Sequence, residues 1–277
     1  MSDLLTLVFL ALLIAGSSAA HSTDPKDYCS PYKFTVTQVG IEATLKDGIA
    51  LGGRHRIFSV QDYLNQRFYF NYTLTTVNAN ARVIRTVAYE LIIDQPTNAR
   101  YEITNGVCKH TPIPDAVSSH LTRCLSDKMK HQGSSFIGGF KSSDKALRFE
   151  TFSMNLEMAD DSPGNTGGIG GLTGHLWSTY VANPDDPGTY LQVKEEMIGT
   201  VNVPSVTSDT SSTVSSMFSS DFVDYQDEVD EAWFKVPDSC SRGLAGGKRK
   251  RRSPRAPISS EHFRLAHYAA AMFAHEP

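Results

Sequence analysis

The sequence of 277 residues lacks the short motifs that mark the commonest enzyme active sites. It has no Gly-x-Ser-x-Gly elbow, no His-Glu-x-x-His pair and no Cys-x-x-Cys pair. Its glycine-rich stretches match neither the phosphate-binding loop nor the dinucleotide-binding fingerprint. Adjacent carboxylates such as Glu195 and Glu196 would point to opposite faces of a strand, so they cannot form an acid and base pair, and we expect them to face solvent. From these absences we expect no enzymatic activity.

Long apolar runs are scarce as well. Residues 4–14 form one, but a run of about eleven residues cannot span a hydrocarbon core of ~30 Å. Small residues follow it, and Ser18 and Ala20 stand where signal peptidase requires them. We therefore expect residues 1–20 to be a signal peptide, although basic residues are absent from its start. The mature chain is expected to be secreted, extracellular or in the lumen of an endolysosomal compartment, with no transmembrane segment.

Cysteine is rare, and its spacing excludes a zinc knuckle. The four cysteines are Cys29, Cys108, Cys124 and Cys240. No histidine stands at zinc-ligand spacing beside a cysteine pair. An even number of cysteines in a secreted chain predicts two disulfides, and the residues alone leave three pairings open.

Basic residues are few outside the C-terminal tail. Residues 241–277 hold eight Lys and Arg against two Glu, whereas residues 21–240 hold 18 basic and 27 acidic side chains. An acidic body lacks the basic face that nucleic-acid binding needs, so we expect no nucleic-acid partner. The tail contains one cluster that matches the pattern cleaved by dibasic convertases, namely Arg249, Lys250, Arg251 and Arg252. We expect the tail to be disordered or cleavable, and a released peptide is an alternative product.

What the sequence does contain is strand pattern, most clearly from Arg82 to Pro114. Apolar and β-branched residues alternate between Val83 and Ile93, as in a pleated strand. Pro96 and Asn98 then predict one turn, and Asn105-Gly106 predicts another. Further strands are predicted within 28–40, 54–76, 147–158, 175–182 and 189–198. The chain is therefore predicted to be mainly β, with residues 21–240 as one domain.

The remaining stretches predict a helix and several loops. Residues 115–124 have an N-capping aspartate and apolar residues on a common face, which predicts one short helix. Gly52-Gly53 predicts a turn between two strands. The glycine-rich residues 131–140 and 160–174 predict loops.

Two surface features are candidate sites. Asn71 begins an Asn-Tyr-Thr acceptor for N-glycosylation and would lie on the wettable face of its strand. Six of the eleven residues from Asp221 to Glu231 are acidic. They predict either a solvated loop or a weak calcium site, whose candidate ligands are Asp221, Asp224, Asp227 and Glu228.

The order of several short motifs resembles the ependymin-related secreted glycoproteins. Leu64-Asn65-Gln66-Arg67, Ile93-Asp94-Gln95 followed by Cys108, and Phe234-x-Val236-Pro237-x-x-Cys240 carry the resemblance. It covers roughly residues 29–240. The resemblance implies a curved antiparallel sheet forming a half-barrel, with helices across its mouth, similar to bacterial periplasmic (LolA-like) lipoprotein carriers.

The resemblance also implies a function. It pairs Cys108 with Cys240 and Cys29 with Cys124, and it implies calcium binding and a homodimer. The implied function is a secreted, non-enzymatic carrier of a lipid or other hydrophobic ligand. The sheet would then offer a concave apolar surface formed by Phe68, Phe70, Tyr89, Leu91, Phe152, Met154, Leu156 and Trp177. The same residues would also build a closed core, and a calcium-associated matrix or adhesion glycoprotein is a second hypothesis.

Overall fold

In the computed structural model, the chain forms one curved, open antiparallel sheet, a half-barrel of eleven strands. The structure describes residues 22–46, 49–77, 82–113, 121–137, 146–157, 170–204 and 211–241. The strands are β1 (Lys33–Lys46), β2 (Ile49–Asp62), β3 (Arg67–Val77), β4 (Val83–Asp94), β5 (Ala99–Thr104), β6 (Val107–Thr111), β7 (Lys130–Ile137), β8 (Leu147–Glu157), β9 (Gly170–Ala182), β10 (Tyr190–Pro204) and β11 (Ser211–Gln226). The mainly β prediction is confirmed.

Helical structure within these ranges is slight. It comprises two 3-10 turns, Pro25–Asp27 and Glu231–Phe234, and a four-residue helix, α1 (Asp238–Ser241). No helix in the described part of the chain has the length and apolar character needed to cross a bilayer.

The sheet consists of two meanders joined through the first and last strands. Its order is β6-β5-β4-β3-β2-β1-β11-β10-β9-β8-β7. β1 pairs with β11 from Thr35 opposite Gln226 to Lys46 opposite Val214, with a bulge near Thr35. The two edge strands, β6 and β7, are neighbours in sequence but do not pair in this sheet.

The strands β4, β5 and β6 occupy the stretch in which the sequence pattern was clearest. Tyr89, Leu91 and Ile93 alternate as predicted and point to the inner face. The β5–β6 hairpin turns at Asn105 and Gly106, whose φ angles of 52° and 74° lie in the left-handed region that asparagine and glycine tolerate best. The predicted strand run and both turns are confirmed here.

The inner face of the sheet is covered by chain segments that are irregular apart from the 3-10 turn Pro25–Asp27. The N-terminal segment, residues 22–32, runs antiparallel to residues 123–125, and Cys29 lies directly opposite Cys124 in an isolated bridge. Ser30 donates from its amide to the Arg123 carbonyl at 2.9 Å, and Leu125 donates to the Tyr28 carbonyl at 3.1 Å. We call residues 22–32 and 121–129 the inner cover.

The outer face is covered by the C-terminal segment, residues 229–240. Phe234 and Cys240 pack against Val60, Tyr69 and Ile92, which all point outward from β2, β3 and β4. These strands are therefore covered on both faces, and this explains why Ile92 is buried although its neighbours Leu91 and Ile93 face inward.

The structure corrects several local predictions. Of the predicted helix 115–124, residues 121–124 are not helical, and residues 115–120 lie outside the described part. Within the described residues, the inner cover, and no long helix, lies over the inner face. Residues 131–137 belong to β7, because a ladder with β8 gives this glycine-containing stretch its partners. The acidic run begins inside β11 and is not a loop up to Gln226.

Gly52-Gly53 does not form a turn, because β2 continues through it. Gly53 lies opposite Glu42 on β1. A Cβ atom at residue 53 would come within 2.5 Å of the Glu42 Oε1 atom. Glycine at residue 53 leaves space for the buried Glu42 side chain. The glycine pair, which the sequence predicted to be a turn, is therefore explained by close packing between β1 and β2.

Gly40 has the same role for His55 and yields a prediction. A Cβ atom at residue 40 would lie 2.2 Å from the Ser219 carbonyl oxygen and 2.6 Å from His55 Nε2. We expect Gly40→Ala to lower the free energy of unfolding by about 1–3 kcal/mol, measured by chemical denaturation, because backbone and ring must both move.

Gly52→Ala is the matched control, since its Cβ atom would meet Val77 Cγ2 at 3.3 Å and little else. An equal loss of stability in both variants would contradict the close-approach explanation and indicate a general effect of adding a methyl group to these strands.

Candidate functional site

Seven of the eight residues predicted to line an apolar surface point to the inner face, in two clusters. Phe68, Phe70, Tyr89 and Leu91 belong to a cluster on β2 to β4, which Ile113 and Leu121 also join. Phe152, Met154 and Leu156 belong to a second cluster, which we call the methionine-rich cluster. Trp177 does not join either one. It follows the inward-pointing Leu176, so it lies on the outer face beside His175, with ring centroids 4.2 Å apart.

The inner cover closes the methionine-rich cluster. Tyr28, Leu125 and Met129 come from the cover and pack against Phe152, Leu176 and Met197 of the sheet. The Tyr28 ring lies 4.5 Å from that of Phe152 and 4.2 Å from that of Tyr190. The amide of Tyr190 donates to the Cys29 carbonyl at 2.9 Å, which fixes the cover to the start of β10.

Both disulfides have the pairing that the family resemblance implies. Cys29–Cys124 lies within the inner cover, whereas Cys108–Cys240 fastens the C-terminal segment to β6 on the outer face. Such bridges are typical of proteins that fold in an oxidising compartment.

A row of polar side chains crosses the inner face beside the methionine-rich cluster. The row consists of His55, Ser220, Glu195 and Ser178, and the next register position adds Tyr180 and Gln192. We call these six residues the inner polar patch. The cross-strand register of β2, β1, β11, β10 and β9 aligns them. All six side chains are buried.

The patch contains a hydrogen bond that spans an entire strand. His55 on β2 lies over Gly40 of β1, and its Nε2 atom lies 2.7 Å from the Ser220 hydroxyl of β11. Without the glycine, a side chain on β1 would occupy the space between them. This bond therefore links the two meanders through their side chains as well as through their backbones.

Glu195 is a buried carboxyl of the patch whose pKa is raised. Gln192 donates from its side-chain amide to a Glu195 carboxyl oxygen at 2.8 Å. Burial raises the pKa of Glu195 from its ordinary value of 4.5 to about 8, because the charged form would lose its hydration. At neutral pH this carboxyl is therefore mostly protonated and can donate a hydrogen bond as well as accept one.

The sequence predicted solvent exposure for Glu195, and the structure corrects this. Glu196 does face outward, as the alternation requires, but Glu195 faces the covered side of the sheet. Its burial depends on distant segments of chain, so no local pattern signals it. The signals that were present are Gly40 and Gly53, whose missing side chains stand opposite His55 and Glu42.

The other predicted sites do not converge. Asp221, Asp224, Asp227 and Glu228 are exposed on or after the end of β11. Among the described residues, no three His, Cys, Asp or Glu side chains are grouped to hold a metal ion.

Asn71 is half-buried on the outward side of β3, and its glycosylation remains a prediction. The convertase cluster, Arg249, Lys250, Arg251 and Arg252, lies outside the described residues.

The motifs that carry the family resemblance meet on the outer side of the sheet. The Arg67 guanidinium contacts Asp62 at 3.1 Å and Glu231 at 2.7 Å, and it lies 4.6 Å from the centre of the Phe234 ring. A cleft of about 600 Å³ is lined here by Leu64, Asn65, Gln66, Arg67, Asp94, Pro96, Thr97 and Glu231. None of the eight apolar residues predicted from the sequence lines this cleft.

No protein-family model and no curated protein matches the chain. Among solved structures, lipovitellin, described in terms of lipid–protein interactions, is similar at 10% identity and a TM-score of 0.29. The match covers 85% of this chain but 30% of the lipovitellin chain. A DUF1329 family protein from Desulfovibrio piger has 10% identity, a TM-score of 0.25 and coverages of 73% and 89%. A β-barrel-like DUF1849 protein from Brucella abortus has 7% identity, a TM-score of 0.23 and coverages of 73% and 100%. None of these scores establishes a shared function.

Glu195 predicts a pH dependence of stability. Its pKa is higher in the folded than in the unfolded chain, so its stabilising contribution is complete below about pH 4.5 and is lost as the pH rises through about 8. Between about pH 5.5 and 8.5 the free energy of unfolding should therefore fall, with a contribution from this group of about 3 kcal/mol. Glu195→Gln cannot titrate, and chemical denaturation should show a flatter profile.

Asp62→Asn is the control for this experiment. Burial alone would raise the pKa of Asp62, but hydrogen bonds from Asn65, Lys33 and Arg67 hold it below its ordinary value of 3.8. The contribution of Asp62 to the free energy of unfolding is therefore lost only in acid. This variant should lose stability evenly across the neutral range. A Glu195→Gln profile as steep as that of the unaltered protein would contradict the assignment.

Proposed function

We propose that the protein is a secreted, non-enzymatic carrier of a lipid or other hydrophobic ligand, which binds to the inner face of the sheet. One observation carries the proposal. In the described residues, the methionine-rich cluster is closed by an irregular cover that one disulfide secures, and not by a second sheet or a long helix. A ligand reaches this surface when the cover moves aside, while the ladder of the sheet stays intact.

The energetics of such an exchange favour a long apolar chain. Burying Leu125 and Met129 stabilises the closed form by about 1.5–3 kcal/mol for each side chain. An alkyl chain gains about 0.8 kcal/mol for each buried methylene group, so roughly four to eight methylenes replace these two side chains. Lipid chains of ordinary length exceed this requirement.

The side chains of the cluster also suit a ligand of variable shape. Met129, Met154 and Met197 are flexible and polarisable, so they can repack around different chains more easily than branched residues. The resemblance to the ependymin-related glycoproteins supports the same function, since it implies a carrier with a concave apolar surface.

The direct experiment is to purify the protein from the medium of a secreting cell line and to analyse an organic extract by lipid mass spectrometry. We expect a co-purifying amphiphile in stoichiometric amount. A protein that yields no amphiphile, and that neither takes up nor releases the uncharged dye Nile red, would refute the carrier function.

The Cys29–Cys124 bridge gives a second prediction. Replacing both cysteines by serine frees the inner cover, because a bridge of this kind restrains the chain by about 2–4 kcal/mol. We expect bound Nile red to dissociate at least about tenfold faster in stopped-flow displacement, since lowering a barrier by 1.4 kcal/mol gives about that factor.

The Cys108→Ser/Cys240→Ser variant is the matched control. It removes a bridge of similar kind from the outer face, where it fastens the C-terminal segment. It should lower stability without changing the rate of dye release. Equal acceleration in both variants would indicate general loosening and would count against an inner-face binding site.

A further inference from the structure

The inner polar patch contains polar groups that its own hydrogen bonds do not use. Within the described part of the chain, the Tyr180 hydroxyl is buried and makes no hydrogen bond of normal geometry. The Ser178 hydroxyl is near enough to interact with it, and that interaction offsets only part of the effect of burial, which raises the pKa of Tyr180 well above its ordinary value. Its residue is only 1% exposed, and its neighbours are Ser178 and Glu195. A buried hydroxyl without a well-formed hydrogen bond is unfavourable, so its presence in a packed face calls for an explanation.

The other hydrogen bonds of the patch that can be described do not involve this hydroxyl. His55 is engaged with Ser220, and Gln192 donates to Glu195 and, at 3.5 Å, to the Ser178 hydroxyl. The Gln192 carbonyl accepts a bond of 2.7 Å from the Tyr225 hydroxyl. Tyr180 and Glu195 thus retain hydrogen-bonding capacity that these bonds of the patch do not use.

The adjacent register position is apolar on four strands, and Glu42 of β1 continues the row beside Phe218. Met154, Leu176, Met197 and Phe218 lie side by side across β8, β9, β10 and β11. Two positions along a strand, about 7 Å, separate this row from Ser178, Glu195 and Ser220, and Tyr180 lies one register position further along β9. A polar row and an apolar row at this spacing match a molecule with a small polar head and a hydrocarbon tail.

The charged residues around the patch indicate which headgroup charge a ligand could carry. At the described inward-facing positions of β9, β10, β11, β1 and β2 around the patch, His55 is the only basic side chain, and both Glu42 and Glu195 are acidic.

On the neighbouring strand β8, Glu150 lies opposite Tyr180 and is already ion-paired with Arg148 and with His131 of β7. A buried carboxylate or phosphate would therefore have to compete with Glu150 for Arg148 and would lie close to two acids, Glu150 and Glu195, which is costly in an apolar environment.

We propose that the Tyr180 hydroxyl and the Glu195 carboxyl bind the head of an uncharged, hydroxyl-bearing amphiphile whose tail lies along the row from Met154 to Phe218. This inference rests on the proposed carrier function and specifies its ligand class. The ligand hydroxyl gives the buried Tyr180 hydroxyl a well-aligned partner, and its tail takes the place of side chains from the inner cover.

The test compares cetyl alcohol with palmitate, which have the same chain length and differ in the charge of the head. Both are titrated at neutral pH against Nile red bound to the full-length secreted protein after lipid extraction. We expect cetyl alcohol to bind at least about tenfold more tightly than palmitate, because the anion must be desolvated beside two acids.

Tyr180→Phe then tests the contact itself. It should weaken cetyl alcohol binding by about fivefold, the effect of one neutral hydrogen bond, and leave palmitate binding unchanged. The melting temperature of the ligand-free variant should stay the same or rise, because the substitution removes a buried hydroxyl that lacks a well-formed hydrogen bond. Tyr69→Phe, the same change on the outer face, should leave both affinities unchanged.

The outcomes separate the two levels of the proposal. Binding of both probes with equal affinity, or a Tyr180→Phe variant that melts lower and binds both probes as before, would overturn the headgroup assignment and leave the carrier function standing. A protein that binds Nile red but prefers palmitate would also overturn it. Failure of Nile red and of both probes to bind would refute the carrier function itself.

Discussion

The pairing of β1 with β11 is the constraint on which the rest of the structure depends. The other strand pairs join neighbours along the chain, whereas this one brings the first and last strands together. At its centre the His55 ring crosses Gly40 to reach the Ser220 hydroxyl, so even one methyl group on β1 would collide with both ring and backbone. The inner face is continuous only because this pairing joins two meanders that would otherwise be separate sheets.

The two faces of the sheet are covered in different ways. On the outer face, the C-terminal segment combines aromatic packing, the Cys108–Cys240 bridge and the contacts of Arg67 with Asp62 and Glu231. On the inner face, the methionine-rich cluster is covered by residues 22–32 and 121–129, which have few regular hydrogen bonds and a single bridge. The two covers are therefore held by different sets of contacts, and ligand exchange in the proposed carrier would require the inner one to move.

The inner face is also chemically divided. Polar side chains follow one row of the register and mainly apolar side chains follow the next, so the surface is itself amphipathic. In a closed core, burying the Glu195 carboxyl and the Tyr180 hydroxyl lowers the free energy of unfolding, because neither group recovers all the hydrogen bonds that it makes in water. In the proposed carrier, both groups are explained by the head of a bound amphiphile, and the methionines explain tolerance for the shape of its tail.

The sequence by itself determined the strands and several turns. Alternation at Tyr89, Leu91 and Ile93 and the Asn105-Gly106 pair are local signals, because a pleat repeats every two residues and a tight turn involves only a few. The resemblance to a known family supplied a disulfide pairing that the spacing of four cysteines left open. Only the tertiary structure decided that Glu195 is buried, that Trp177 faces outward from the clusters and that Gly53 packs against Glu42. Each of these depends on which distant segment covers a face, and a strand's own sequence does not contain that information.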